Sequence, residues 1–261
     1  MFHVKHLLYD QYISNKGDKM DINLFTTTLS DVLKKNGIRH PTGLEARKLY
    51  FLTEIMLKTN STMNLTAIVE PIEILVKHYA DCLTILNLIP EQAKLLDVGC
   101  GAGFPSLPLA IFRPDISITA LDSTAKKIEY IKSTSKTLEL DNITCISARA
   151  EDLAHKTEFR EKYDIVTARA VANMQVLSEL CIPFVKKGGK FIAMKGQKCH
   201  EEFEAAQKTI EVCGGNLSSL DLIKLTYQDI DETRAIIGIQ KTATTPLKYP
   251  RQYAKIVKSP L

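Results

Sequence analysis

The sequence predicts an α/β fold, in which helices cover both faces of a mostly parallel sheet and a helical cap precedes the sheet. Two observations support this prediction. From about residue 90 onward, short apolar runs alternate with amphipathic stretches, a pattern typical of parallel strands joined by helices. The first apolar run, residues 95–98, also passes directly into alternate glycines at 99, 101 and 103, as expected for a loop whose backbone closely approaches a ligand.

The composition is that of one main domain with an appendage. The chain has 261 residues, of which 45% are hydrophobic and 25% charged, and its net charge of +4 permits contact with a polyanion without requiring it. The six cysteines form no C-x-x-C pair, so we expect reduced thiols, no metal site and a cytoplasmic location. No apolar run is long enough to span a bilayer, and we expect a soluble monomer.

The first 90 residues predict the helical cap. Residues 1–19 are polar and aperiodic, and we expect them to form a disordered extension. Within residues 20–90, apolar side chains recur at helical spacing and predict helices at 22–36, 44–58 and 71–88. The main α/β domain then occupies residues 91–241, and residues 242–261 form a basic tail.

The main domain is predicted to alternate strands and helices after the glycine loop. Further strands are expected at 116–121, 143–146, 164–168, 190–194, 222–226 and 235–241. Helices are expected between them at 104–112, 125–138, 174–184 and 200–213.

Polar residues follow the predicted strands at their carboxyl ends. Asp97 lies at the end of the first strand, Asp122 follows the second, Arg149-Ala150-Glu151 the third, Arg169 the fourth and Lys195-Gly196 the fifth. Ligands of wound α/β sheets bind beyond the carboxyl ends of the strands. The sequence therefore predicts one site at this edge of the sheet.

The spacing of the glycines indicates the kind of ligand. Gly99, Gly101 and Gly103 follow the pattern G-x-G-x-G, whereas a dinucleotide fingerprint reads G-x-G-x-x-G. A carboxylate at Asp97 is suited to a cationic amino group, and one at Asp122 to the two hydroxyls of a ribose. We therefore expect a nucleotide-like ligand that carries a cation, although an ordinary tight turn is the alternative interpretation of the glycines.

A set of short motifs, in this order along the chain, resembles the ribosomal RNA small subunit methyltransferase G family, also called glucose-inhibited division protein B. The motifs are Asn64-Leu65-Thr66, His78-Tyr79-Ala80-Asp81, the glycine loop continuing into Phe104-Pro105, Asp122-Ser123, Arg149-Ala150-Glu151, Thr167-Ala168-Arg169-Ala170-Val171-Ala172, Lys195-Gly196 and Tyr249-Pro250-Arg251. The resemblance extends from about residue 20 to the C-terminus. The glycine loop is typical of class I methyltransferases in general, and the motifs after it indicate the family.

The resemblance implies a Rossmann-like class I fold, with S-adenosyl-L-methionine as the cofactor and methylation of N7 of one guanine in 16S ribosomal RNA as the activity. It also implies that Gly99, Phe104, Ala150, Glu151 and Arg169 contact the cofactor, while spacing alone adds Asp97, Gly101, Gly103 and Asp122. Because N7 of guanine carries a free lone pair, we expect positioning and electrostatics without a general base.

Several side chains have a second, structural interpretation. Glu151 is also placed to begin a helix, Arg169 to form an ion pair or to contact a base, and His78 with Asp81 to act as a capping or packing pair. We expect RNA contacts from basic residues near the C-terminus, or else a solvated tail: Lys195, Lys248, Arg251, Lys255 and Lys258.

Three other functions stay open at this point. A class I methyltransferase acting on another RNA or on a small molecule has the same cofactor site. A nicotinamide-dependent oxidoreductase is disfavoured by the glycine spacing and by Asp97. A non-catalytic module that binds the small ribosomal subunit has no need for the glycines or for the acids at 97 and 122.

Overall fold

The computed structural model describes residues 21–196 and 199–261 of the protein. The extension predicted at residues 1–19 lies outside the described residues. In chain order, the helices are α1 (Ile22–Lys35), α2 (Gly43–Met63), α3 (Pro71–Glu73), α4 (Asp81–Leu83), α5 (Ser106–Phe112), α6 (Ala125–Thr137), α7 (Ala150–Leu153), α8 (Met174–Cys181), α9 (Cys199–Val212) and α10 (Tyr253–Lys258). The strands are β1 (Lys94–Val98), β2 (Ser117–Asp122), β3 (Ile143–Ser147), β4 (Tyr163–Arg169), β5 (Val185–Gly196), β6 (Gly215–Tyr227) and β7 (Ile230–Lys241).

The strands form one sheet in the order β3-β2-β1-β4-β5-β7-β6. The first five strands are mutually parallel, and the β6–β7 hairpin adds two antiparallel strands beside β5. The order along the sheet reverses between β1 and β4, which opens the crevice where wound sheets bind ligands. The predicted mostly parallel α/β fold is therefore confirmed.

The two faces of the sheet are covered by different sets of helices. One apolar cluster joins α1 and α2, through Leu29 and Leu52, to Leu107 of α5 and Ile118 of β2. A second cluster lies under α8 and α9 and includes Phe191 of β5. The cap thus shares a continuous core with one face of the sheet, and burial of this apolar surface fixes its position.

The prediction of one regular helix at 71–88 is wrong. It consists of α3, a π-helix at Ile74–Ala80, α4 and a short 3-10 turn at Leu86–Leu88. The amide of Asp81 donates to the carbonyl of Val76, five residues back, as a π-turn requires. The wider turn leaves the carbonyl of Lys77 to accept a hydrogen bond from Arg169 (3.0 Å). The irregular segment therefore turns toward the edge of the sheet.

Other predicted helix boundaries also differ from the structure: the helix predicted at 44–58 spans Gly43–Met63, and two further differences have a clear cause. The helix predicted from residue 104 begins at Ser106, because the Ser106 amide donates to the carboxylate of Asp97 (3.2 Å) and ends the preceding turn. The helix predicted at 174–184 ends at Cys181 and continues as a 3-10 turn at Ile182–Phe184, which contains Pro183.

The segment after β7 packs against the domain. Ile256 and Tyr249 are buried, and Arg160 donates to the carbonyl of Tyr249 (2.9 Å). His155 is hydrogen-bonded to the carbonyl of Pro250 through Nε2 (2.8 Å). These contacts hold the backbone of the predicted tail along α7 and the loop that follows it.

Candidate cofactor site at the sheet edge

A cavity of about 470 Å³ lies at the carboxyl ends of β1 to β4. Its volume falls within the range of about 300–1,000 Å³ that is typical of small-molecule sites. Seven of the nine residues predicted to bind a cofactor line it: Gly99, Gly101, Phe104, Asp122, Ala150, Glu151 and Arg169. The topology thus brings together residues that are 70 positions apart in the sequence.

The glycine loop forms one wall of the cavity. Gly99 has a φ of +73°, and a Cβ added there would lie 2.6 Å from Val171 Cγ2. Gly103, with a φ of +87°, lies outside the lining, and an added Cβ would lie 2.5 Å from Leu107 Cδ1. Gly99 therefore allows the close approach of the cavity wall, while Gly103 allows α5 to pack closely.

Asp97, which was predicted to bind the cofactor, lies beneath the loop and does not line the cavity. The side chain is fully buried, and Oδ2 accepts hydrogen bonds from both the amide and the hydroxyl of Ser106. Burial raises the pKa of Asp97 to about 7. Its carboxylate stabilises the turn between the loop and α5, which is a reason for an acid at this position that spacing alone does not reveal.

Asp122 connects β2 to the glycine loop and also lines the cavity. Its Oδ2 accepts from the Gly101 amide (3.0 Å) and its Oδ1 from the Thr124 amide (2.8 Å). A carboxylate has about four acceptor sites, so further sites remain for ligand hydroxyls. Glu151, at the start of α7, is also buried and also lines the cavity.

Arg169 ends β4 and connects the sheet to the cap. Its Nη1 donates to Asp81 Oδ2 (2.5 Å) and to the Lys77 carbonyl, and its Nη2 donates to His78 Nδ1 (3.0 Å). The imidazole of His78 stacks on Phe104, with ring centroids 4.4 Å apart and planes inclined by 7°. The ion pair considered for Arg169 is thus present, and the same guanidinium lines the cavity.

His78 and Asp81 form part of this network. Both are buried, with 4% and 3% of their surfaces exposed. Burial, and then the charge of Arg169, lower the pKa of His78 to about 3, so its imidazole is neutral at physiological pH. The predicted packing pair therefore supports Arg169 directly, through contacts across 88 and 91 positions of sequence.

Several residues that line the cavity were not assigned to the cofactor by sequence reasoning, among them Leu65, Thr66, Lys127 and Tyr253. Leu65 and Thr66 belong to a motif that the resemblance includes, but nothing in their spacing indicates a role. Tyr253 lies in the C-terminal segment, and the guanidinium of Arg149 is 5.9 Å from the centroid of its ring. Only tertiary packing brings these side chains to the sheet edge.

The basic residues predicted to contact RNA fall into two groups. Lys195 binds the Ala172 carbonyl and Glu202 (both 2.7 Å), and Arg251 binds the buried carboxylate of Glu179 (2.6 Å). By contrast, the remaining predicted residues are exposed: Lys248, Lys255 and Lys258.

Two kinds of feature are absent from the described ranges 21–196 and 199–261. Their histidines, cysteines and acids form no cluster of three or more suited to a metal ion. Their helices include none with the length and apolar character that crossing a membrane requires.

Solved structures share the fold of this chain. TYW2 of Pyrococcus horikoshii, solved in complex with MeSAdo, matches with a TM-score of 0.50 and 12% identity over 62% of each chain. The putative transferase PH0793 of the same organism matches with a TM-score of 0.50 and 12% identity, covering 62% of this chain and 63% of that one. At this level of identity the likeness concerns the fold alone.

Sequence relatives are much closer. The chain is 49% identical over 204 residues to ribosomal RNA small subunit methyltransferase G of Clostridium botulinum (strain Loch Maree / Type A3), covering 77% of this chain and 84% of the relative. It is 41% identical over 246 residues to the protein of the same name from Lactobacillus delbrueckii subsp. bulgaricus, covering 93% and 100%. The profile of the GidB family, described as rRNA small subunit methyltransferase G, matches residues 45–230. This chain therefore belongs to the GidB family of ribosomal RNA small subunit methyltransferases.

Proposed function

We propose that this protein transfers the methyl group of S-adenosyl-L-methionine to N7 of a guanine in small-subunit ribosomal RNA. Family membership supports the methyltransferase activity and the ribosomal RNA substrate. The observation that carries the proposal is the cavity at the carboxyl ends of four adjacent strands. Its walls combine the glycine loop after β1, Asp122 of β2, Glu151 after β3 and Arg169 of β4.

The residues of the cavity fit this cofactor. Asp122 retains acceptor sites beside the cavity for ribose hydroxyls, and buried Glu151 offers a carboxylate next to the Ala150 backbone. The absence of a side chain at Gly99 allows Val171, another residue of the cavity wall, to pack against the loop. We therefore assign cofactor contacts to Gly99, Gly101, Phe104, Asp122, Ala150, Glu151 and Arg169, with Asp97 and Gly103 acting through the loop.

The proposed chemistry needs little from the protein beyond alignment. When bound, the cofactor supplies a methyl group on a positively charged sulfur. N7 of guanine has a free lone pair, so the protein removes no proton from it and needs no general base. Phe104 and His78 present stacked rings beside the cavity, and the Arg169 network holds them in place. Their role is to exclude water and to orient the reacting groups.

We infer RNA contacts from the exposed cations near the site. Lys248, Lys255 and Lys258 are solvent-exposed and lie in the segment that also places Tyr253 at the cavity. Arg251 and Lys195 already have carboxylate partners, so we assign them a structural role first. Action as a monomer in the cytoplasm stays a prediction.

A labelling experiment tests the proposed function. Purified protein is incubated with methyl-labelled S-adenosylmethionine and with small subunits from cells that lack the gene, and the modified nucleotide is mapped and identified. We expect one 7-methylguanosine in 16S RNA. Label in another nucleotide, in a small molecule or in no product contradicts the proposal, and NADH binding by the same cavity would favour the oxidoreductase.

A further inference from the structure

Thr66 lines the cavity and carries a hydroxyl group to which the proposed function assigns no role. It lies in the connection between α2 and the π-helix, and it lines the cavity together with Leu65. The residues assigned to the cofactor come from the edge of the sheet or the glycine loop. Thr66 and Leu65 come instead from the cap, and the proposed function assigns neither of them to the cofactor.

The backbone of Thr66 is held by a single side chain of α2. Its amide donates to Asn60 Oδ1 (2.9 Å), and its carbonyl accepts from Asn60 Nδ2 (2.9 Å). This two-bond clamp fixes the position and direction of the residue. Both backbone groups of Thr66 therefore have a partner within the cap.

The oxygen of the Thr66 hydroxyl is also fully used as an acceptor. The Ile68 amide donates to it (3.0 Å), and His78 Nε2 lies 3.0 Å from it. Because a guanidinium only donates, the bond from Arg169 Nη2 makes His78 Nδ1 an acceptor and places the proton of the neutral imidazole on Nε2. His78 therefore donates to Thr66, and both lone pairs of the hydroxyl oxygen are occupied.

This accounting leaves one group of Thr66 without an assigned partner, the hydroxyl proton. Among residues 21–196 and 199–261, no hydrogen bond donated by this hydroxyl is present. The chain of donors from Arg169 through His78 to Thr66 polarises the hydroxyl and strengthens it as a donor. The cavity wall thus holds a preorganised hydrogen-bond donor beside the apolar side chain of Leu65.

We propose that the Thr66 hydroxyl donates to O6 of the target guanine and selects guanine over adenine. This inference rests on the proposed function. Guanine presents O6 as an acceptor next to N7, whereas adenine presents an amino group there, which is a donor. Two donors facing one another leave a buried polar group unpaired, and sites that depend on such a bond reject the wrong partner strongly. Thr66 is thus a specificity-determining residue.

Two substitutions and one altered substrate test this inference. Thr66→Val removes the hydroxyl, Thr66→Ser retains it, and Thr62→Val makes the same change at an exposed site of α2 away from the cavity. The substrate is a small subunit reconstituted with 2-aminopurine at the mapped target, since this base lacks O6 but keeps N7. The readouts are the single-turnover rate of methylation and the calorimetric Kd of S-adenosylhomocysteine.

We expect Thr66→Val to lower the rate on guanine about tenfold or more, the effect of losing one hydrogen bond to a buried partner. The Kd for S-adenosylhomocysteine should stay unchanged. Thr66→Ser should retain most of the rate, and Thr62→Val all of it. The wild-type protein should lose a similar factor on 2-aminopurine, and Thr66→Val should lose nothing further on that base.

Three results would overturn the inference. A rise in the Kd for S-adenosylhomocysteine that matches the loss of rate assigns the donor to the cofactor. Equal rates for Thr66→Val and wild type show that the donor is unused. Equal wild-type rates on guanine and 2-aminopurine also show that the donor is unused. This comparison needs no variant, so it still tests the inference if Thr66→Val fails to fold because His78 and Ile68 lose their acceptor. A wild-type protein inactive on guanine instead refutes the proposed function.

Discussion

Gly99 and Val171 meet so closely that no side chain fits between them: a Cβ added to Gly99 would lie 2.6 Å from Val171 Cγ2. Gly99 directly follows β1, and Val171 follows β4, the neighbour of β1 in the sheet. Both residues line the cavity. The glycine is therefore required by a contact between two motifs that are distant in sequence, as well as by its φ of +73°.

Gly99→Ala should weaken binding of S-adenosylhomocysteine at least about tenfold, because the new methyl group displaces Val171 and narrows the cavity. Gly188→Ala is the matched control, since Gly188 has a φ of +85° but nothing lies within 4 Å of its Cβ position. Both variants carry a backbone strain of about 1–2 kcal/mol. Isothermal titration calorimetry measures the affinities, and equal affinities in the two variants would contradict the assigned role of Gly99.

Arg169→Ala should lower the free energy of unfolding by about 3 kcal/mol, because it removes the closest cationic partner of a buried carboxylate. Asp81 is 3% exposed, and its other cation, Arg234 Nε, is 3.6 Å away. Adding Asp81→Asn should recover part of the loss, since the neutral side chain no longer needs a cation. Urea denaturation of the wild type, the two single variants and the double variant measures both effects. If the losses of the two single variants simply added in the double variant, Arg169 and Asp81 would not be energetically coupled.

Local patterns in the sequence were sufficient to predict much of the sheet. The apolar run that becomes β1 and the acid at Asp122 follow from hydrophobic patterning and from the position of polar residues after strands. The rule that such residues converge at one edge then placed Asp122, Glu151 and Arg169 at one cavity, as the structure has them.

Side-chain partners could not be predicted in the same way. Asp97 was expected to meet a ligand, but it binds Ser106, and this choice depends on the direction in which α5 leaves the loop. Arg251 was expected to meet RNA, but it binds Glu179, which lies 72 positions earlier. Such pairs are created by tertiary packing, and periodicity carries no information about them.

Replacing the exposed cations Lys248, Lys255 and Lys258 by alanine should weaken binding to the small subunit while leaving the thermal unfolding temperature unchanged. These side chains are solvent-exposed, so their charges contribute chiefly through phosphates. The dependence of log K on log salt should become shallower, by about 0.7–0.9 for each phosphate that is no longer neutralised. Filter binding at several salt concentrations measures the slope, and an unchanged slope would exclude phosphate binding by these residues.

Arg251→Ala should act on stability and not primarily on RNA. Arg251 contributes three nitrogen donors to the fully buried Glu179 at 2.6–2.8 Å. Two of these belong to the guanidinium, and their loss should cost about 3–5 kcal/mol of unfolding free energy. Urea denaturation measures the unfolding free energy of Arg251→Ala and of the variant with alanine at Lys248, Lys255 and Lys258. We expect the second variant to keep the stability of the wild type. If the Arg251→Ala variant had normal stability but bound RNA more weakly, Arg251 would instead be assigned to the RNA contact.

Asp97 should make stability fall as pH rises from 3.8 to about 7. Burial raises its pKa to about 7 from an ordinary value near 3.8. The folded protein therefore keeps a proton that the unfolded chain releases, so the contribution is complete below pH 3.8 and is lost as pH approaches 7. The difference in unfolding free energy between wild type and Asp97→Asn should shrink over this interval. His78, whose pKa is lowered to about 3, opposes this trend but is common to both proteins.

Asp115→Asn is a control for Asp97→Asn, because the contribution of Asp115 to stability depends on pH in the opposite direction. Its bond with Arg113 lowers the pKa of Asp115, so that contribution is present above pH 3.8 and is lost as pH falls. The difference between wild type and Asp115→Asn should therefore grow as pH rises from the acid range. Unfolding in urea at about pH 2 to 7.5 measures both differences in one series. If the two carboxylates gave differences of the same sign, Asp97 would be ionised in the fold, and its hydrogen bonds to Ser106 would outweigh its burial.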